Sequence, residues 1–135
     1  MDLTLSKTGD YAVRAALALA TSYEEGRFVT IAEVADRMAM PKPFTPHVLA
    51  MLSKSGIVTS KTGRGGGYRL ERDPRTISLL EVVESAEGPL INTRCTLRGG
   101  ACTPDDRCVV HNSWTAAGEA LRQRLREATL ADLVG

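Results

Sequence analysis

Cys95, Cys102 and Cys108, with His111 three residues beyond, place every cysteine of this 135-residue chain and one of its two histidines in one short stretch, CTLRGGACTPDDRCVVH. Three thiolates and an imidazole form a donor set for zinc or an iron-sulfur cluster. The C-x6-C-x5-C spacing lacks the C-x2-C knuckle of a structural zinc finger. Gly99, Gly100 and Pro104 allow the backbone to wrap around a bound group. Cysteines that merely fill a core sit in apolar helices or strands, whereas these stand beside Arg, Asp, Pro and Gly. An odd number of thiols in a chain expected to be cytoplasmic points to metal or redox chemistry rather than to disulfides.

A second chemistry lies upstream. The net charge is only +1, yet Lys54, Lys61, Arg64, Arg69, Arg72 and Arg75 oppose only Glu71 and Asp73 between residues 54 and 75. Such asymmetry suits an anionic partner. Within it, TGRGGG sets Arg64 among Gly63, Gly65, Gly66 and Gly67. The loop lacks the G-x-x-x-x-G-K-[ST] order and leads into a strand-like segment rather than a helix, so a phosphate-cradling nucleotide loop is disfavoured.

Several local elements must position these groups. Ser6 or Thr8 can cap a first helix, with Asp10 in its first turn and an Ala/Leu-rich run to about Tyr23. Thr30 and Glu33 have capping-box spacing ahead of an apolar stripe at Ile31, Val34, Ala35 and Met38. After the break at Pro41 and Pro43, Phe44, Val48, Leu49 and Leu52 form another stripe, ending at Ser55-Gly56. Thr45 is expected to cap this helix, with Pro46 at its first position. Two strand-like pieces, IVTSK and YRLER, flank the glycine loop. Ser78 and Glu81 open a further helix that stops at Gly88-Pro89, and a long helix beginning near Ser113 carries Trp114, Ala117, Leu121 and Leu125 along one edge. That edge could pair with another chain or pack on its own domain. TLADLV supplies a last capped turn.

Helix, turn, helix and basic hairpin is the order of a winged helix-turn-helix module. The expected fold is mainly α with a small β-hairpin, followed by a long C-terminal dimerisation helix. The expected divisions are residues 1–90 for DNA binding, 91–112 for a cluster-binding loop, and 113–135 for dimerisation and the final turn. The segment from Lys42 to Lys54 becomes the recognition helix for the major groove, with Lys42, Phe44, Thr45 and His47 near the DNA. Arg64 at the wing tip suits the narrow minor groove. Lys54, Lys61 and Arg69 are expected on phosphates.

These segments together resemble the family of winged-helix bacterial transcription regulators typified by IscR and NsrR. The resemblance runs nearly end to end, through LSKTGDYAVRAAL, IAEVADRM, GIVTSKTGRGGGYRL, ISLLEVVESAEGP, the three cysteines and TLADLV. It implies a homodimer crossed through the C-terminal helices, a dyad-symmetric operator in double-stranded DNA, and an iron-sulfur cluster whose gain or loss controls operator affinity. The fourth ligand divides the family. Cys108-Val-Val-His111 resembles the branch in which a histidine completes [2Fe-2S]. Asp10 in GDYAVR resembles the branch in which an aspartate of the partner subunit completes [4Fe-4S]. His111, and with it [2Fe-2S], is preferred because a ligand adjacent in sequence needs no placement between subunits. Pro43 and Pro46 stand where the family has polar base-reading residues, so the operator does not carry over.

Other function classes fit less well. The N-terminus has no basic stretch leading into an apolar one, and the longest apolar run, Ala15 to Ala20, is too short to span a bilayer. No nucleophile-base-orienter set is apparent, so catalysis is not expected. A cluster-free or zinc-stabilised repressor, or an iron-sulfur electron-transfer protein, are the alternatives.

Overall fold

The computed structural model describes residues 2–90, 97, 100 and 109–135. Cys95, Cys102 and Cys108 lie outside these described residues.

Among the described residues, six α-helices and one hairpin follow in chain order. Helix α1 (Lys7–Thr21) starts where Ser6 Oγ accepts from the Gly9 N–H, and its alanine-rich inner face, Ala12, Ala15, Ala16 and Leu19, is buried. The helix stops sooner than the Ala/Leu run suggests. A 3-10 turn, Tyr23–Glu25, follows, and Gly26 closes it at φ 69° in the left-handed region. Helix α2 (Ile31–Met38) is capped by Thr30. Only half of the expected capping box forms, because the Glu33 carboxylate accepts instead from Arg27 and Arg37.

The chain turns through Ala39, the one non-glycine with positive φ among the described residues (52°), into α3 (Thr45–Lys54). Strands β1 (Val58–Lys61) and β2 (Gly67–Leu70) pair antiparallel in the register Val58 to Leu70 and Lys61 to Gly67. Val29 adds a bridge to Tyr68 on the outer edge of β2. Helix α4 (Leu79–Glu87) opens with a complete capping box of Ser78 and Glu81. Helix α5 (His111–Glu127) starts two residues before the expected Ser113, since the Trp114 N–H already bonds the Val110 carbonyl at 2.9 Å.

One aliphatic core gathers α1, α2, α3, the hairpin and α4, with Leu19, Val34, Leu49, Leu52, Ile57, Leu70, Ile77 and Val82 among its buried members. Helix α6 (Leu130–Val134) returns to it: Leu130 is fully buried, and its N–H bonds the Ile77 carbonyl at 2.9 Å. By contrast every residue from 111 to 120 on α5 is exposed. The fold is mainly helical with a two-stranded antiparallel wing, as the order of elements implies. No helix among the described residues is long and apolar enough to cross a membrane.

Candidate nucleic-acid interface and ligand residues

Helix α3 is held by its buried side. Thr45, Val48, Leu49 and Leu52 face the core. The Phe44 ring meets Tyr11 of α1 edge-on at 5.2 Å between centroids and His47 at 5.7 Å, which fixes the angle at which α3 leaves the turn. Lys42, Pro46, His47, Ala50 and Lys54 are exposed.

Two expectations for this helix change. Thr45 is not available to bases: it is fully buried, and its hydroxyl donates to the Pro41 carbonyl at 3.0 Å. Nor is it the cap, since Phe44 occupies the N-cap position without a side-chain bond and Pro46 stands one residue further in than expected. The turn from Pro41 draws Thr45 inward; both the Phe44 and Thr45 N–H groups bond the Pro41 carbonyl, at 3.0 and 3.2 Å. Phe44 is half-buried against Tyr11, so its ring serves the packing of α3 on α1.

The wing is fastened to the body from its outer edge. Val29 and Tyr68 exchange backbone hydrogen bonds at 2.7 and 2.8 Å. Gly67 takes φ 143°, and a Cβ there would run into the Val29 carbonyl, so only glycine permits this approach. At the tip, Gly63 and Gly65 have φ 86° and 73°, leaving Arg64 exposed between them. Lys61 is also exposed, with Nζ 5.9 Å from the Phe28 ring centroid. Arg69 is drawn into the structure more than expected for a phosphate holder. Its guanidinium lies 5.0 Å from the same ring and donates to the Gly26 carbonyl at 3.4 Å. Phe28, which sequence reasoning missed, therefore links two of the wing cations; neither a repeat nor a charge pattern marks it.

The two proposed fourth ligands are far apart in sequence. Asp10 lies in the first turn of α1, partly exposed, and accepts from Arg14 Nε at 2.9 Å. Arg14 in turn reaches the Met38 carbonyl at the end of α2 at 3.3 Å. His111 is the exposed first residue of α5. Among the described residues no group of three His, Cys, Asp or Glu side chains is gathered as a metal would require.

Elsewhere, a groove of about 410 Å³ runs between the N-terminal segment, α1, α4 and α5, lined by Leu3, Leu5, Val13, Val83, Leu121 and Leu125 among others. Glu87 sits at its rim and accepts from the Ser6 N–H at 2.9 Å, so a carboxylate faces the positive end of the α1 dipole.

Comparison with known proteins gives this geometry its family. The model of the Rrf2 family, described as iron-dependent transcriptional regulators, matches residues 5–135. The chain is similar to the HTH-type transcriptional regulator IscR of Klebsiella pneumoniae (strain 342), 34% identical over 132 residues, which is 98% of this chain and 80% of that protein. The regulator of the same name from Escherichia coli (strain K12 / DH10B) is 33% identical over the same share of each chain. Among solved structures, that of T. potens IscR superposes with a TM-score of 0.80 at 29% identity, covering 99% of this chain and 88% of that one. CymR, the global cysteine regulator of B. subtilis, shares the fold with a TM-score of 0.83 at 22% identity, over 98% of this chain and 97% of that one. These relatives are regulators rather than enzymes. The chain belongs to the Rrf2 family and is a DNA-binding transcriptional regulator of the helix-turn-helix type.

Proposed function

We propose that the protein is a homodimeric regulator of a dyad-symmetric operator, with operator affinity controlled by an iron-sulfur cluster. Cys95, Cys102 and Cys108 would hold the cluster, with His111 or Asp10 as fourth ligand. The observation that carries this reading is the crowding of all three cysteines just ahead of His111, the first residue of a helix whose first ten residues are exposed. The donor set suits a cluster: thiolates supply soft ligands, and either an imidazole or a carboxylate completes four. His111 follows the thiols three residues on, whereas Asp10 lies on α1 with one carboxylate oxygen paired to Arg14. When bound, the cluster supplies a group that oxidants, nitric oxide or iron shortage can remove.

The chain's own residues supply the linkage to DNA. Helix α5 is fixed at its far end, where the Leu79 N–H bonds the Ala128 carbonyl at 2.7 Å and Arg122 pairs with Glu84 at 3.4 Å. Its near end is exposed at every residue from 111 to 120, Trp114 at 40%. In a dimer crossed through α5, tilting this helix about its fixed end changes the separation of the two recognition helices. Half-sites lie about one helical turn, roughly 34 Å, apart, so a small change in separation alters affinity. On this reading residues 1–90 bind DNA, 91–112 hold the cluster and 113–135 supply the dimerisation helix and the final turn, whose Leu130 packs back into the core. Helix α3 enters the major groove with Lys42 and His47 at its start. Arg64 enters the minor groove, while Lys54 and Lys61 hold phosphates, with Arg69 behind them.

The test is purification without oxygen, with iron and sulfide counts and an absorption spectrum, repeated on His111→Ala and Asp10→Ala. Stoichiometric iron and sulfide, lost in one of the two variants, is expected. A colourless zinc protein, or material that cannot be reconstituted, would reject the reading.

A further inference from the structure

The outward face of α3 has an unusual chemistry for a reading helix. Side chains three, four and seven apart share one face. With Thr45, Val48, Leu49 and Leu52 turned inward, the exposed set is Pro46, His47, Ala50 and Lys54. Between His47 and Lys54 this face presents no amide, guanidinium or carboxylate. The nearest hydroxyls are withdrawn: Ser53 Oγ is buried, and that of Thr45 is committed to the Pro41 carbonyl. Bidentate reading of guanine or adenine requires Arg, Lys, Asn or Gln, and the middle of α3 has none. What it offers is the Ala50 methyl, one turn beyond the Pro46 ring.

Only one base edge in the major groove presents an apolar group, the 5-methyl of thymine. We propose that Ala50 is a specificity-determining residue, reading a thymine in each half-site through contact between the two methyl groups. The proposal rests on α3 being the helix that enters the major groove. It leaves the polar contacts of α3 to its two ends, His47 and Lys54, so the centre of each half-site is selected by shape and methyl contact.

The experiment starts from duplexes that the full-length protein selects out of random-sequence DNA. Each thymine of the recovered half-site is replaced in turn by deoxyuridine, which removes the methyl and nothing else. One position per half-site is expected to weaken binding about four-fold, the worth of one buried methyl group. Ala50→Gly should weaken the thymine duplex by a similar factor and abolish the difference between thymine and deoxyuridine. Ala50→Ser, which is gentler on the helix, should likewise shrink that difference. Sequence-specific binding in which no deoxyuridine replacement matters, or an equal effect in wild type and in both variants, overturns the role of Ala50 alone. Unselective binding of all duplexes, unaffected by changes on α3, would instead remove the premise that α3 reads DNA, and the proposal with it.

Discussion

Val29 and Tyr68 exchange both of their backbone hydrogen bonds, at 2.7 and 2.8 Å, so the segment that opens α2 also forms the outer edge of the wing. The start of α2 and the basic hairpin are thus tied together through backbone hydrogen bonds. Gly67 makes this pairing possible, because any Cβ there meets the Val29 carbonyl.

Gly67→Ala must therefore break the bridge or distort the strand, in a backbone conformation that alanine avoids. We expect a loss of about 2 kcal/mol in denaturant unfolding, with a larger drop in DNA affinity than the lost stability alone produces. Unchanged unfolding would show that the wing is not fastened at this point.

Gly9 and Glu87 form a second close pair. A Cβ on residue 9 would overlap the Glu87 carboxylate that accepts from the Ser6 N–H. Since the end of a glutamate side chain can move aside, Gly9→Ala should lose mainly that hydrogen bond and its dipole interaction, about 1 kcal/mol. Glu87→Ala should lose a similar amount, and the double variant little more than either. Full additivity in such a double-mutant cycle would contradict the coupling.

On the proposed reading the wing and α3 contribute differently to DNA binding. Arg64→Ala should weaken operator binding about tenfold and relax preference at the minor-groove position. Lys54→Ala should weaken all sequences alike and lower the slope of log affinity against log salt by about 0.9, the signature of one lost phosphate contact. Equal salt slopes in wild type and Lys54→Ala would remove that lysine from the phosphate set.

Asp73 accepts hydrogen bonds from the Arg75 guanidinium and then from its backbone N–H, which hold its carboxyl down to about 2 against an ordinary 3.8. The folded form binds the proton less readily than the unfolded chain. The contribution is therefore present above about pH 4 and lost as pH falls toward 2. Solvent exposure keeps it small. Asp73→Asn retains an acceptor for the Arg75 N–H but does not titrate. The stability difference between wild type and Asp73→Asn should shrink as unfolding is measured from about pH 5 down to about pH 2. A difference independent of pH would show that the ion pair adds nothing.

Local signals in the sequence carried most of the helices, because caps act within four residues. Ser6, Thr30, and the Ser78–Glu81 and Thr129–Asp132 pairs all cap as their spacing implies. What spacing could not show were choices made between distant elements. Thr45 is drawn inward by the Pro41 turn and Phe44 is held by Tyr11, so the side chains available to DNA differ from those that a helix drawn from sequence alone would expose. Glu33 forgoes its cap for two arginines. Leu130, in what the sequence shows only as a last capped turn, fills the core and bonds Ile77. The cysteines are the reverse case. Residue type and spacing mark Cys95, Cys102 and Cys108 as candidate ligands, and they lie outside the described residues.

The central claim is that a cluster on these cysteines governs how the paired recognition helices grip DNA. The most direct measurement is a titration, without oxygen, of the loaded protein and of the same preparation stripped of iron, each on the duplex selected from random-sequence DNA. We predict affinities that differ at least tenfold at fixed salt, with the stripped protein still folded by circular dichroism. Equal affinity of two folded forms, one carrying stoichiometric iron and sulfide and the other none, would contradict the account.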